Sequence, residues 1–244
     1  MRYPVFVIEG PDNTGKTTLG KQLVSLTGAA YVHSTYKFKG RMLLYHVAQL
    51  RKVVRLAETR PDVLDRWYQS EIAYGNVYRN GPEPEYHPNW MGLQWYARKL
   101  GFSMTFCCPM RFEEYIEFCK ESYHNREQMF KFNEAKLNNI WRIYRDMWHD
   151  TYHVYDRELL QVFSAPQDIW KGAKFANYIL SQKKSWNSHQ PAEAKDFIRN
   201  TTWRDITLES VLEKAQLVRN HNMDSADWNR TKPVIQQPVQ GNFF

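Results

Sequence analysis

Cysteine is scarce, with three in 244 residues, and their positions exclude both a disulfide framework and a zinc-ligand spacing. Cys107 and Cys108 are adjacent in an apolar run and Cys119 falls on an expected helix, so a reducing, intracellular setting is expected. No uninterrupted apolar stretch approaches the roughly eighteen residues that a membrane-spanning helix needs. A charged start followed by an apolar leader is also missing. These absences predict a soluble, cytoplasmic protein with no membrane partner. No internal repeat is present, and the length suits one α/β domain with an appendage.

Acidic residues are the minority charge, 26 against 33 Lys and Arg, which leaves a net charge of +7. Residues 185–244 balance at seven of each sign, so the whole excess lies in residues 1–184. Within it, the stretch 37–60 holds Lys37, Lys39, Arg41, Arg51, Lys52, Arg55 and Arg60 against Glu58 alone. A field of that sign favours phosphate-bearing partners, although a solvated helix face gives the same pattern.

The most informative stretch is Gly10-Pro11-Asp12-Asn13-Thr14-Gly15-Lys16-Thr17-Thr18. An apolar run from Tyr3 to Glu9 precedes it, and Leu19, Leu23 and Leu26 follow at roughly helical spacing. Strand, glycine loop and helix together are the setting of a phosphate-binding loop. Gly10 and Gly15 let backbone amides turn inward at the positive end of the helix. Lys16 adds a cation for the outer phosphates, and the Thr17 hydroxyl completes a magnesium shell. Gly10, Asn13, Thr14, Gly15, Lys16, Thr17 and Thr18 are therefore the expected triphosphate-binding set, with ATP and Mg2+ as cofactors. A turn that merely joins strand to helix does not explain the lysine and threonine after Gly15.

Downstream, short strands are expected at 30–34, Asp62–Arg66, Ser103–Cys108 and Thr151–Asp156. Helices are expected from Met42 to Ala57, Trp67 to Tyr78, Trp90 to Leu100, Glu113 to Glu121, Phe130 to Trp148 and Ile169 to Leu180. This alternation predicts an α/β fold with a five-stranded parallel sheet covered by helices on both faces. Ligands of such sheets gather at the carboxyl edge, so Asp65 and Arg66 are expected to face the same crevice as the phosphate loop. The rhythm breaks after residue 184. Trp186, Trp203 and Trp228 are scattered through polar sequence, with one helix around Leu208–Val218. The expected division is a domain over 1–184, with a lid near 120–130, and a partly helical C-terminal extension over 185–244.

Three separated motifs carry a resemblance: Ile8-Glu9-Gly10 through Thr18, Asp65-Arg66-Trp67-Tyr68-Gln69-Ser70, and His124-Asn125-Arg126-Glu127 before a long aromatic helix. Together they resemble the thymidylate kinase group of P-loop nucleotide kinases over roughly residues 1–183, and most of all its divergent, phage-type deoxynucleotide kinases. The resemblance implies that Asp12 reaches the acceptor nucleotide's sugar, Asp65 assists magnesium through water, and Arg66 clamps the acceptor phosphate. It also implies that Ser70 and Tyr74, with Arg41, line the acceptor side and that Arg126 belongs to a lid closing over the transferring phosphoryl group. Lys16, Asp12, Asp65, Arg66 and Arg126 are then the catalytic set. A virally encoded chain would work in the host cytoplasm. Thymidylate kinases are commonly dimers, and nothing here fixes an interface.

The sequence departs from that group at His33-Ser34-Thr35-Tyr36-Lys37-Phe38-Lys39-Gly40-Arg41, where an arginine and paired glycines are expected. Acceptor identity therefore stays open between a thymidylate-like deoxynucleoside monophosphate and a hydroxymethylated pyrimidine in phage DNA met by residues 37–60. A hydroxyl acceptor would want a carboxylate base, for which Asp12, Glu9 and Asp65 are candidates. A nucleotide switch without an acceptor is a third alternative, weakened by the lack of a guanine-reading motif.

Overall fold

The computed structural model describes residues 3–34, 41–79, 89–122, 133–152, 160–163 and 169–223. Five strands, β1 (Val5–Glu9), β2 (Ala30–His33), β3 (Asp62–Asp65), β4 (Ser103–Cys107) and β5 (Leu160–Phe163), form one parallel sheet in the order β2-β3-β1-β4-β5. The helices among the described residues are α1 (Lys16–Thr27), α2 (Met42–Leu56), α3 (Tyr68–Tyr78), α4 (Trp90–Lys99), α5 (Phe112–Ser122), α6 (Glu134–Tyr152), α7 (Ile169–His189), α8 (Ala192–Asn200) and α9 (Leu208–Met223).

Strand alternation divides the core in two. Val5 and Val7 of β1 point to one face, with Leu64, Met104 and Leu160, and pack with Leu50, Ala73, Leu93 and Ile140. Phe6 and Ile8 point to the other, with Val63 and Phe163, against Leu19 and Leu23 of α1 and Ala176 and Ile179 of α7. Helices thus cover both faces, and every residue of β1 is buried, as a central parallel strand requires. From β1 the chain crosses toward β2 and β3, and from β4 it leaves toward β5. The loops after β1 and β4 consequently splay apart, opening a crevice at the carboxyl edge.

The expected fifth strand is displaced. Thr151 and Tyr152 end α6, and the strand that pairs with β4 is Leu160–Phe163, with Met104 opposite Leu160 and Cys107 opposite Phe163. Alternating Tyr152, Val154 and Asp156 mimic a strand, yet the apolar stripe of Ile140, Tyr144 and Met147 carries the helix on to Tyr152. Helix α7 also runs to His189 rather than stopping near Leu180, so it passes unbroken through residue 184. The expected strand residues 153–156, the lid residues 123–130 and the tail from 224 lie outside the described residues.

Residues beyond 184 share the main core. Trp186, Ile206 and Val211 belong to the larger hydrophobic cluster. Trp186 lies where a Cβ on Gly101 would approach its ring to 2.0 Å, and Gly101 holds φ of +66°. Lys183 donates to the Gly101 carbonyl and stands 3.8 Å from the Trp186 ring centroid, fastening α7 to the turn between α4 and β4. Helix α9 lies on α4 so closely that a Cβ on Gly92 would sit 2.0 Å from the Val211 carbonyl oxygen. Gly92→Ala is therefore expected to push α9 outward and lower stability by about 1–3 kcal/mol. A urea midpoint unchanged from the parent would contradict this packing.

Candidate active site

The loop from Gly10 to Gly15 joins the end of β1 to the start of α1 at the crevice. Gly10 has φ of +145°, and a Cβ there would lie 2.1 Å from the Cys107 carbonyl oxygen of β4, so only glycine fits. Asn13 and Gly15 adopt left-handed conformations, φ 62° and 82°. Gly15 precedes α1 without a side-chain cap, which leaves the first amides of the helix facing the crevice. Asn13 is braced from behind, its amide 3.9 Å from Cys119 Sγ on α5.

Thr14 donates its hydroxyl to the Pro11 carbonyl at 2.8 Å, and Lys16 Nζ donates to the same oxygen. Lys16 is buried, and burial, with the Arg66 charge adding to it, lowers its ammonium to about 8 despite Asp12 and Asp65 nearby. The loop thus presents a desolvated cation whose charged form an arriving anion would stabilise.

Asp65 ends β3 as a buried hub. Its Oδ2 accepts from Thr17 Oγ1 at 3.3 Å and from the Tyr31 hydroxyl, and His33 Nδ1 is 3.3 Å away. Its Oδ1 is buried with no hydrogen-bond partner. Thr17 and Asp65 bring two hard oxygens side by side. No group of three or more His, Cys, Asp or Glu able to hold a metal occurs among the described residues. Two protein oxygens with the remaining positions left to water and phosphate is the ligand set suited to Mg2+. Tyr31 and His33, two residues apart on β2, were legible only as strand. Tyr31 reaches the hub because α1 has Gly20 there, where a Cβ would come within 2.7 Å of the tyrosine ring.

Arg66 follows with φ of +69°, a strained conformation for a residue other than glycine. Its guanidinium pairs with Asp12 in the phosphate loop, donates to Ser70 Oγ at 3.3 Å and Tyr74 hydroxyl at 3.5 Å, and lies 5.2 Å from the Tyr74 ring centroid. Loop, strand end and α3 are joined by this one side chain. The Asp12 side chain is 53% exposed, so its half of the pair opens to the crevice.

Glu9, the last residue of β1, is fully buried. It accepts from the Trp67 and Ser70 amides, the Ser70 hydroxyl at 2.8 Å and the Tyr144 hydroxyl at 3.1 Å. Burial raises its pKa, against the opposing charge of Arg66. With its lone pairs taken, Glu9 ties α3 and α6 to β1 and is not placed to act as a base. Ser70 is correspondingly an interior strut between Glu9, Tyr144 and Arg66, not a residue of the open cavity. A carboxylate in an otherwise apolar strand was the one sequence signal for this network.

Asp12 to Thr18, His33, Asp65 and Arg66 line a cavity of about 430 Å3. Arg41 is exposed at the start of α2, after a segment outside the described residues, and Arg126 lies outside them as well. No helix among the described residues is long and apolar enough to cross a membrane.

No protein-family model matches the chain, and no curated protein sequence matches it. The fold does have counterparts among solved structures. The YorR protein of Bacillus subtilis, in complex with phosphorylated GDP, superposes with a TM-score of 0.57 over 77% of this chain and 99% of its own, at 13% identity. Polyphosphate kinase 2 from Arthrobacter aurescens TC1 gives 0.55 over 82% of this chain and 76% of its own, at 12% identity. Deoxyadenosine kinase from M. mycoides, with dCMP and a flexible dCDP bound, gives 0.47 over 72% and 98%, at 13% identity. The first two share this α/β fold, and identities this low speak to the fold alone.

Proposed function

We propose that this chain transfers the γ-phosphoryl group of ATP to a deoxynucleoside monophosphate, with a thymidylate-like acceptor. The observation that carries this is the pairing of Arg66 with Asp12, which sets a fixed cation beside the phosphate loop. Asp12 has no task in holding a triphosphate, and a guanidinium there suits a second phosphate. The thymidylate-like part rests on the three sequence motifs.

In this assignment the amides of Asn13 to Gly15, with Thr18, hold the inner phosphates of the donor, and Lys16 neutralises the outer ones. Thr17 and Asp65 would hold Mg2+, which would offset the negative charge of the donor phosphates. Asp12 orients the acceptor sugar, Arg66 holds the acceptor phosphate, Tyr74 backs Arg66, and Arg41 and Arg126 are assigned to the acceptor phosphate and the transferring group by the sequence resemblance. An acceptor phosphate oxygen bonds to the γ-phosphorus as the bond from that phosphorus to the β,γ-bridging oxygen breaks, and ADP leaves. A phosphate acceptor needs no strong base, consistent with a saturated Glu9.

Incubating the full chain with ATP, Mg2+ and a panel of deoxynucleoside monophosphates, nucleosides, and plain and hydroxymethylated DNA tests this. The expected products are ADP and a deoxynucleoside diphosphate in equal amounts. Phosphorylated DNA, or hydrolysis that no acceptor changes, would overturn it.

The donor site should also titrate. Because Lys16 loses its proton near pH 8 in the nucleotide-free protein, kcat/KM for ATP is expected to fall as pH rises through that value. Lys16→Arg, whose guanidinium stays charged, should remove this limb even if the rate is lower. A flat profile to pH 10 would contradict the burial of Lys16.

A further inference from the structure

Most described cations of the basic stretch do not face the crevice. Helix α2 begins at the carboxyl edge and ends just before β3 starts, so Arg51, Lys52, Arg55 and Arg60 gather at the opposite edge of the sheet. Arg51 and Arg55 are about 15–20 Å along the helix from Arg41. There the segment between α8 and α9 lays Trp203 beside them. The guanidinium carbons of Arg51, Arg55 and Arg204 stand 5.3, 5.6 and 4.7 Å from its ring centroid.

Three like charges on one indole repel one another, and among the described residues none of the three has a carboxylate within ion-pair distance. Asp205, beside Arg204, accepts from the Thr202 amide and hydroxyl at 2.7 and 2.8 Å. Asp62 lies close to Lys52 and Arg60 but is buried, and burial raises its carboxyl to about 7. Glu58 is the one acid of the basic stretch itself. Helix α4, packed beside α2, ends at the same edge and adds exposed Arg98 and Lys99. An aromatic ring is available too: Tyr3 is 43% exposed and held at this edge by its amide on the Ala57 carbonyl at 2.8 Å.

We propose that this edge docks single-stranded nucleic acid, with Arg51, Lys52, Arg55 and Arg204 on the phosphates and Tyr3 stacked on a base. Cations spaced along a helix suit a linear phosphate chain, and an exposed ring at the same edge distinguishes nucleic acid from a polyphosphate lacking bases. The surface lies away from the crevice, so it anchors a strand and does not present an acceptor. It stands independently of the transfer reaction proposed above.

Fluorescence anisotropy of a labelled strand of about 30 nucleotides, titrated with the full chain, tests this. Four neutralised phosphates predict a log–log salt slope near −2.8, roughly a fifty-fold loss of affinity between 50 and 200 mM salt. The triple variant Arg51→Gln, Arg55→Gln, Arg204→Gln should flatten the slope to about −0.7. Should it fold poorly, Lys52→Gln at an exposed position should still remove about 0.7 from the slope. Tyr3→Ala should weaken binding roughly tenfold. Saturating ATP and Lys16→Ala should leave the titration unchanged. Absence of binding at 50 mM salt, displacement by ATP, or equally tight binding of inorganic polyphosphate would overturn the proposal. Phosphotransfer by the Arg51, Lys52, Arg55, Arg204 and Tyr3 variants should match the parent, so the two proposals fail separately.

Discussion

Lys16→Ala is expected to lower kcat for phosphoryl transfer about a thousandfold, the scale of losing one preorganised charge contact to the transferring group. The fold should not weaken. Lys16 is buried, and burial lowers its pKa to about 8, so the folded, nucleotide-free chain carries the cost of desolvating it. That shift corresponds to about 3–4 kcal/mol at most, part of which its hydrogen bond to the Pro11 carbonyl returns. Alanine removes the charge and the cost together, so the melting temperature without nucleotide should hold or rise while the extra stabilisation by ADP shrinks. Activity near the parental level, or a variant that no longer folds, would contradict the place given to Lys16.

Arg66→Ala should act on the other substrate. Acceptor kcat/KM is expected to fall about a thousandfold, with KM for ATP changing less than about threefold, because the guanidinium pairs with Asp12 and its loss leaves the loop amides and Lys16 in place. Arg66→Lys should recover little, since an ammonium lacks the planar fork that reaches Asp12, Ser70 and Tyr74 together. Asp12→Asn combined with Arg66→Ala should cost less than the two separate losses added, as expected for residues that act on one another. Equal loss of donor and acceptor use in Arg66→Ala would remove Arg66 from the acceptor side.

The phosphate loop was legible in the sequence because its chemistry is local. Gly10 and Gly15 sit where φ is positive, and Lys16 and Thr17 follow on the first turn of α1. Asp65 and Arg66 were legible from topology, since a short apolar segment ending in charge must bring that charge to the carboxyl edge. The Asp65 hub was not. Tyr31 and His33 come from β2, 34 and 32 positions away, and their convergence depends on β2 pairing with β3 with His33 opposite Asp65. Glu9 was visible as a buried carboxylate, yet only the packing of α3 and α6 shows how it is satisfied.

The fifth strand failed for a different reason. Thr151 and Tyr152, expected to open it, end α6 instead, because the apolar stripe of Ile140, Tyr144 and Met147 continues the helix to them. Beyond residue 184, Trp186 and Trp203 looked scattered because their partners, Gly101 and the arginines of α2, are distant in sequence.

In the proposed reaction, donor and acceptor phosphates meet in one crevice between the loop and Arg66. Calorimetric titration with adenosine and a deoxynucleoside joined through five phosphates measures this directly. One molecule should bind per chain, about a hundredfold more tightly than ADP, with most of that advantage lost in Arg66→Ala. Binding no tighter than ADP, unchanged by Arg66→Ala, would contradict it.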